Sequence, residues 1–146
     1  MGQSQSSQNP TEQKSLNKAR EVDAWKYEEL NFLITGGSAA GKSSFINAVR
    51  GLPDYHLQAA KVGVSETTEE PTPYPHPSNP KIILWDAPGI GTPKYPNMKV
   101  YCKKITFEKY DAFLFFSRGR FTAHDLELAK KAKSIGKPFF FIRAHV

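Results

Sequence analysis

Gly36, Gly41, Lys42 and Ser43 stand in the order G-x-x-x-x-G-K-S inside Thr35 to Ser44, which reads T-G-G-S-A-A-G-K-S-S. Those types at that spacing hold phosphate. The glycines Gly36, Gly37 and Gly41, with small Ser38, Ala39 and Ala40 between them, let the chain bend until backbone N–H groups from Gly36 to Ser44 face phosphate oxygens. The Lys42 ammonium reaches the β- and γ-phosphates, and the Ser43 hydroxyl suits Mg²⁺. Lys42 thereby heads the candidate catalytic groups.

A second constellation follows at Trp85-Asp86-Ala87-Pro88-Gly89, a D-x-x-G sequence closing the hydrophobic run Lys81 to Asp86. A carboxylate at a strand tip, Asp86, holds Mg²⁺ through water. The Gly89 N–H approaches the γ-phosphate and senses its presence. Between the two lies Glu66-Thr67-Thr68. A hydroxyl there would close over Mg²⁺ in the triphosphate state. Thr68 is favoured over Thr67, and the neighbouring Glu66 is a candidate for positioning water.

These groups need strands that end and helices that begin in the right places. Asn31 to Thr35 is an apolar strand leading into the phosphate loop, and Ser43 to Val49 is the helix leading out, stopped at Arg50-Gly51. Lys81 to Asp86, Asp111 to Ser117 and Lys137 to Ile142 read as further strands, and Val62 and Val64 alternate like a short one. Asn97 to Lys109 and Thr122 to Ser134 read as helices. Thr122 is placed as N-cap with Asp125 completing a capping box. Pro71 to Pro80 holds five prolines and reads as extended loop. Alternating strands and helices predict an α/β fold with a mainly parallel sheet.

Upstream, Thr11 to Leu30 reads as a helix with Thr11 as a partial N-cap, and Trp25 and Tyr27 supply it with apolar area for docking. Met1 to Gln13 is polar and rich in Gln and Ser, which predicts a flexible arm. The expected division is an arm over 1–13, a helix over 14–30 and the nucleotide-binding unit over 31–146. The arm has no apolar run of the signal-peptide type. Its start, Met-Gly-Gln-Ser-Gln-Ser, fits M-G-x-x-x-[ST], with Gly2 as a myristoyl acceptor. One such chain gives weak, reversible membrane binding.

The 146 residues suffice for one domain with a core, and 39% hydrophobic with 23% charged residues is ordinary for a globular protein. A net charge of +6 favours phosphate-bearing partners. The clusters Lys103-Lys104 and Lys130-Lys131-Lys133 read as solvated helix faces, so no nucleic acid partner is expected. Cys102 is the single cysteine, which excludes an internal disulfide and fits a reducing compartment. No apolar run spans a bilayer, so any membrane contact is expected to be peripheral.

Several stretches in order resemble one family: Gly41 to Gly51 (G-K-S-S-F-I-N-A-V-R-G), Ala60 to Thr68 (A-K-V-G-V-S-E-T-T), Pro73 to Pro77 (P-Y-P-H-P), Trp85 to Thr92 (W-D-A-P-G-I-G-T) and Phe139 to Arg143. Over about residues 11–146 the chain is similar to the interferon-inducible immunity-related GTPases. The resemblance implies a P-loop NTPase fold of the Ras-like G-domain type. It also implies GTP and GDP as ligands with Mg²⁺, slow hydrolysis promoted by dimerisation across the nucleotide face, and copies of the chain or full-length family members as partners at that face. The implied role is cell-autonomous defence, in the cytoplasm and at the membranes of the endoplasmic reticulum, Golgi or pathogen vacuoles. Glu66 and Thr68 fall on the family's E-x-T pattern, and Lys42 matches the lysine form of its phosphate loop.

The family reads R-T-K-x-D where this chain has Arg143-Ala144-His145-Val146. The lysine and aspartate that grip guanine have no counterpart, which leaves guanine against adenine selectivity open. The G domain is expected to be incomplete at its C-terminus. Lys137 to Ile142 then becomes an exposed apolar edge, part of one sheet face is bare, and the chain is marginally stable alone. Two classes of function stay open: a hydrolysing GTPase, and a non-hydrolysing form that binds and modulates longer relatives. An ATP-dependent kinase is disfavoured by D-x-P-G and by the absence of an arginine-rich lid.

Overall fold

Strand β1 (Leu30–Gly36) becomes progressively more buried along its length, and Leu33 to Gly36 have almost no exposed surface. A continuous apolar run of this kind belongs in the middle of a parallel sheet. In the computed structural model, which describes residues 9–24, 28–37, 41–62 and 69–144, β1 lies there. The elements in chain order are α1 (Pro10–Ala24), β1, α2 (Lys42–Val49), β2 (Thr72–Pro75), β3 (Ile82–Asp86), α3 (Met98–Ile105), β4 (Ala112–Arg118), α4 (Ala123–Ser134) and β5 (Phe139–Ala144), with a 3-10 turn over Phe107–Lys109.

The five strands form one sheet in the order β2-β3-β1-β4-β5. All neighbours are parallel except β2 against β3. The register sets Leu33 beside Trp85 and Phe113, and Gly36 beside Phe116. Alternation then gives two cores. Leu33, Phe113 and Phe115 face α3 and α4, packing on Tyr101, Ile105 and Leu128. Ile34, Leu84 and Phe116 face α2, packing on Ile46 and Ala60. Phe113 stacks on Phe107 at 4.9 Å and on Phe115 at 6.0 Å between ring centroids, an offset arrangement suited to aromatic quadrupoles.

Several expectations change in detail. Pro71 to Pro80 contains the strand β2. The His76 N–H donates to Ile82 C=O at 2.8 Å, which puts residues 72, 74 and 76 on the paired side. Pro73 and Pro75 then point their missing donors to the open edge, the position proline tolerates in a sheet. The N-cap of α1 is Asn9, whose Oδ1 accepts from the Thr11 N–H at 3.1 Å, with Pro10 as the first helical residue. Leu30 opens β1 rather than closing that helix. Trp25, Tyr27 and Val64 lie outside the described residues, and Val62 is in irregular chain. The helix expected over 97–109 is shorter, because Thr106 takes a left-handed conformation (φ 57) that ends α3 at Ile105. The capping box of α4 forms as expected: Thr122 Oγ1 accepts from the Asp125 N–H at 3.2 Å, and Asp125 Oδ2 accepts from the Thr122 N–H at 2.8 Å.

Among the described residues β5 pairs only with β4. Phe140, on the α2 face, is 58% exposed, and Phe141 is also exposed. This is the apolar edge expected from the sequence. No described helix is long and apolar enough to cross a membrane.

Candidate phosphate and cation site

The central strands β1 and β3 end side by side, Ile34 in register with Asp86, so the phosphate loop and the D-x-P-G loop leave the same edge of the sheet. At Gly36 the chain passes so close to β4 that an added Cβ would overlap the Phe116 carbonyl. The glycine assigned to phosphate therefore also has a packing duty. Gly41 closes the loop at φ 91 and caps α2, and a Cβ on Gly37 or Gly41 meets nothing within 4 Å. The left-handed value favours glycine at Gly41. The space around both glycines is open, as a cradle for a bulky anion requires.

Lys42, only 7% exposed, folds back so that its Nζ donates to the Gly37 C=O at 3.0 Å. Its charge is thus held over the loop. Ser43 begins α2, and its Oγ donates to Asp86 Oδ2 at 2.6 Å. Asp86 itself is 2% exposed. A hydroxyl and a carboxylate this close present hard oxygens of the kind Mg²⁺ takes, with phosphate oxygens and water completing its shell. The residues therefore fit the cation: Ser43 would ligate it directly and Asp86 through water. Of the remaining sequence candidates, Ser44 lies in the first turn of α2, and Gly89 is buried in the loop after β3. Gly2, Ser38, Ala39, Ala40, Glu66, Thr67 and Thr68 lie outside the described residues.

Three groups with supporting roles were not anticipated from the sequence. Asn47 is wholly buried on α2; its Oδ1 accepts from the Ala60 N–H at 2.6 Å, and its Nδ2 donates to Ala60 C=O at 2.9 Å and Asp54 Oδ1 at 3.0 Å. That pair of hydrogen bonds to one residue fixes the chain just before the segment carrying Glu66 and Thr68. An asparagine beside an inward-facing isoleucine was the signal. Arg50 and His76 fasten β2 to the end of α2. Arg50 donates to Pro75 C=O at 3.2 Å and Gln58 C=O at 2.6 Å, and His76 Nε2 meets Val49 C=O at 3.2 Å. Burial first, and the Asp86 carboxylate second, raise the pKa of the Tyr74 phenol on this strand. Third, Arg118, Arg120 and His124 line, together with Gly36 and Gly37, a cavity of about 190 Å³.

Comparison with known proteins fits this geometry. Residues 13–146 match the family model described as interferon-inducible GTPase (IIGP). The chain belongs to the interferon-inducible GTPase family. It is 41% identical over 127 residues to mouse interferon-inducible GTPase 1, covering 87% of this chain and 30% of the relative. It is 49% identical over 113 residues to bovine interferon-inducible GTPase 5, covering 77% of this chain and 24% of that one. The chain thus spans less than a third of the length of these curated relatives. Among solved structures it resembles NFeoB from S. thermophilus bound to GDP·AlF4⁻, with TM-score 0.58, 21% identity, and 78% of this chain and 45% of that one covered. Era from Aquifex aeolicus, also bound to GDP·AlF4⁻, gives TM-score 0.58 at 20% identity, covering 82% of this chain and 41% of that one. At these identities the likeness establishes the fold, a P-loop G domain with a mostly parallel five-stranded sheet.

Proposed function

We propose that this member of the interferon-inducible GTPase family binds GTP and GDP with Mg²⁺ and hydrolyses GTP slowly. The observation that carries the reading is the 2.6 Å bond from Ser43 to Asp86, which joins the two sequence motifs into one cation site beside the buried Lys42. Lys42 and the loop amides neutralise phosphate charge; Mg²⁺, when bound, withdraws charge from the β- and γ-oxygens. Catalysis of this type is positional and electrostatic. Thr68 as a further Mg²⁺ ligand, Glu66 as the group orienting water and Gly89 as γ-phosphate sensor complete the proposal.

The test is competition of GTP, GDP, ATP and XTP for the purified chain, with Lys42→Ala as control. GTP and GDP are expected to bind Mg²⁺-dependently and to lose about a hundredfold or more in Lys42→Ala, the cost of removing a charged partner from a buried ion contact. Equal affinity for GTP and ATP sinks the guanine assignment. Unchanged binding by Lys42→Ala sinks the site.

The second reading, a non-hydrolysing form that modulates longer relatives through the nucleotide face, is favoured by His145 standing where the resemblance places the family's base-gripping lysine. Turnover that rises with protein concentration selects the first reading, and co-association with a longer relative without turnover selects the second. The family resemblance supports a role in cell-autonomous defence at intracellular membranes. The M-G-x-x-x-[ST] start supports peripheral attachment through Gly2, which an alkynyl-myristate label absent from Gly2→Ala would report.

A further inference from the structure

Beneath the two loops a polar chain runs through the core. Tyr101, on α3, is wholly buried. Its hydroxyl donates to the Pro88 C=O at 2.9 Å and is hydrogen-bonded to the Thr35 hydroxyl. A phenol has one proton to give. With that proton on Pro88, Thr35 is the donor to Tyr101, and the bonds run from Thr35 through Tyr101 to Pro88. Such chains strengthen one another in a low-dielectric core. Thr35 immediately precedes the phosphate-loop glycine Gly36, and Pro88 immediately precedes Gly89.

A second tyrosine extends the connection. The Tyr95 ring meets that of Tyr101 edge-on, 5.6 Å between centroids. Its hydroxyl donates to the Glu69 C=O at 2.9 Å, directly after the 63–68 segment. Its own C=O accepts from the Gly91 N–H at 2.8 Å. The exposed Lys94–Glu70 pair at 3.3 Å spans the same two segments, where solvent leaves it little strength.

A phenylalanine at 101 would fill the core as well as tyrosine does. What the hydroxyl adds is a fixed relation between two loops. We propose that Tyr101 is a positioning residue that couples the phosphate loop to the Asp86–Gly91 loop and, through Tyr95, to the chain following Thr68, so that contact with a γ-phosphate at one is transmitted to the others. The proposal rests on the nucleotide reading above.

The test uses the full chain and its Tyr101→Phe, Tyr95→Phe and Thr35→Val variants. Two quantities are measured: Mg²⁺-dependent affinity for GDP and for the β,γ-imido analogue of GTP, and amide hydrogen exchange of the nucleotide-free chain. Tyr101→Phe is expected to lower the preference for triphosphate over diphosphate about tenfold, the size of one to two buried hydrogen bonds, while GDP affinity stays within about twofold. Exchange at Ala87, Gly89 and Gly91 rises. Thr35→Val and Tyr95→Phe shift the preference the same way by less. Equal loss for both nucleotides, or unchanged preference and exchange, overturns the proposal. Should Tyr101→Phe fail to fold, Thr35→Val carries the same criterion. A wild-type chain that binds neither nucleotide sinks the nucleotide reading, and the exchange comparison then decides the coupling on its own.

Discussion

Two tyrosines of one core cluster illustrate how one residue type does opposite things. The Tyr101 hydroxyl is fully used, whereas the buried Tyr110 hydroxyl has no hydrogen-bond partner among the described residues. Burial raises both phenols, Tyr110 to about 12 against the usual 10.0 and Tyr101 further. In the window from pH 10 to about 12 the unfolded Tyr110 ionises while the folded one does not. The unfolded state then binds fewer protons, so this contribution to stability is complete below pH 10 and is lost as pH rises toward 12. Tyr110→Phe is expected to be neutral or stabilising at pH 7, since it removes an unsatisfied hydroxyl and keeps the ring, and to flatten the alkaline decline. Urea unfolding at pH 7, 10 and 11.5 checks both parts. A loss of more than about 1 kcal/mol at pH 7 would show a hydroxyl in use.

At the scale of elements, the decisive feature is the seam between β1 and β4. Phosphate loops favour glycine for backbone freedom, yet Gly36 is constrained most by its neighbour: its place beside Phe116 leaves no room for a methyl group. Gly36→Ala is therefore expected to push the strands apart and destabilise the chain by about 2–4 kcal/mol, with phosphate binding lost in parallel. Gly37, exposed in open space, offers the contrast within one motif. Equilibrium denaturation of Gly36→Ala beside Gly37→Ala measures the difference, and equal stability of the two would remove the packing role. The same scale explains β2. Proline content argued for a loop, but the prolines alternate, and only their outward parity is compatible with an edge strand.

At the scale of the whole molecule, the sheet has, among the described residues, a protected edge at β2 and an unpaired one at β5. β2 guards its side with two prolines. β5 exposes Phe140 and Phe141, with Phe121 packed edge-on against Phe141 at 4.9 Å between centroids. An unpaired apolar edge is a template for association. The isolated chain is expected to self-associate with rising concentration, and Phe140→Lys to suppress this while changing stability by no more than about 1 kcal/mol. Sedimentation velocity across a concentration series decides it. A monomer at every concentration in the unaltered chain would refute the edge as a contact surface.

The two loop motifs and, apart from β2, the order of strands and helices were legible in the residues themselves. G-x-x-x-x-G-K-S, D-x-P-G and the apolar runs before them are local: each works through its own backbone and its neighbours in sequence, so spacing alone displays them. The capping box of α4 was visible for the same reason. Tyr95, Tyr101 and the cavity lined by Arg118 and Arg120 carried no such signal, because their meaning lies in partners outside their own local pattern. Thr35 and Tyr101 are 66 residues apart, and Ser43 and Asp86 are 43 apart. Local pattern marked the groups proposed to hold phosphate. Only the parallel register of β1, β3 and β4 decided that they converge, what braces them and which glycine cannot change, since hydrogen bonds and steric overlap depend on distance in space, which sequence order does not contain.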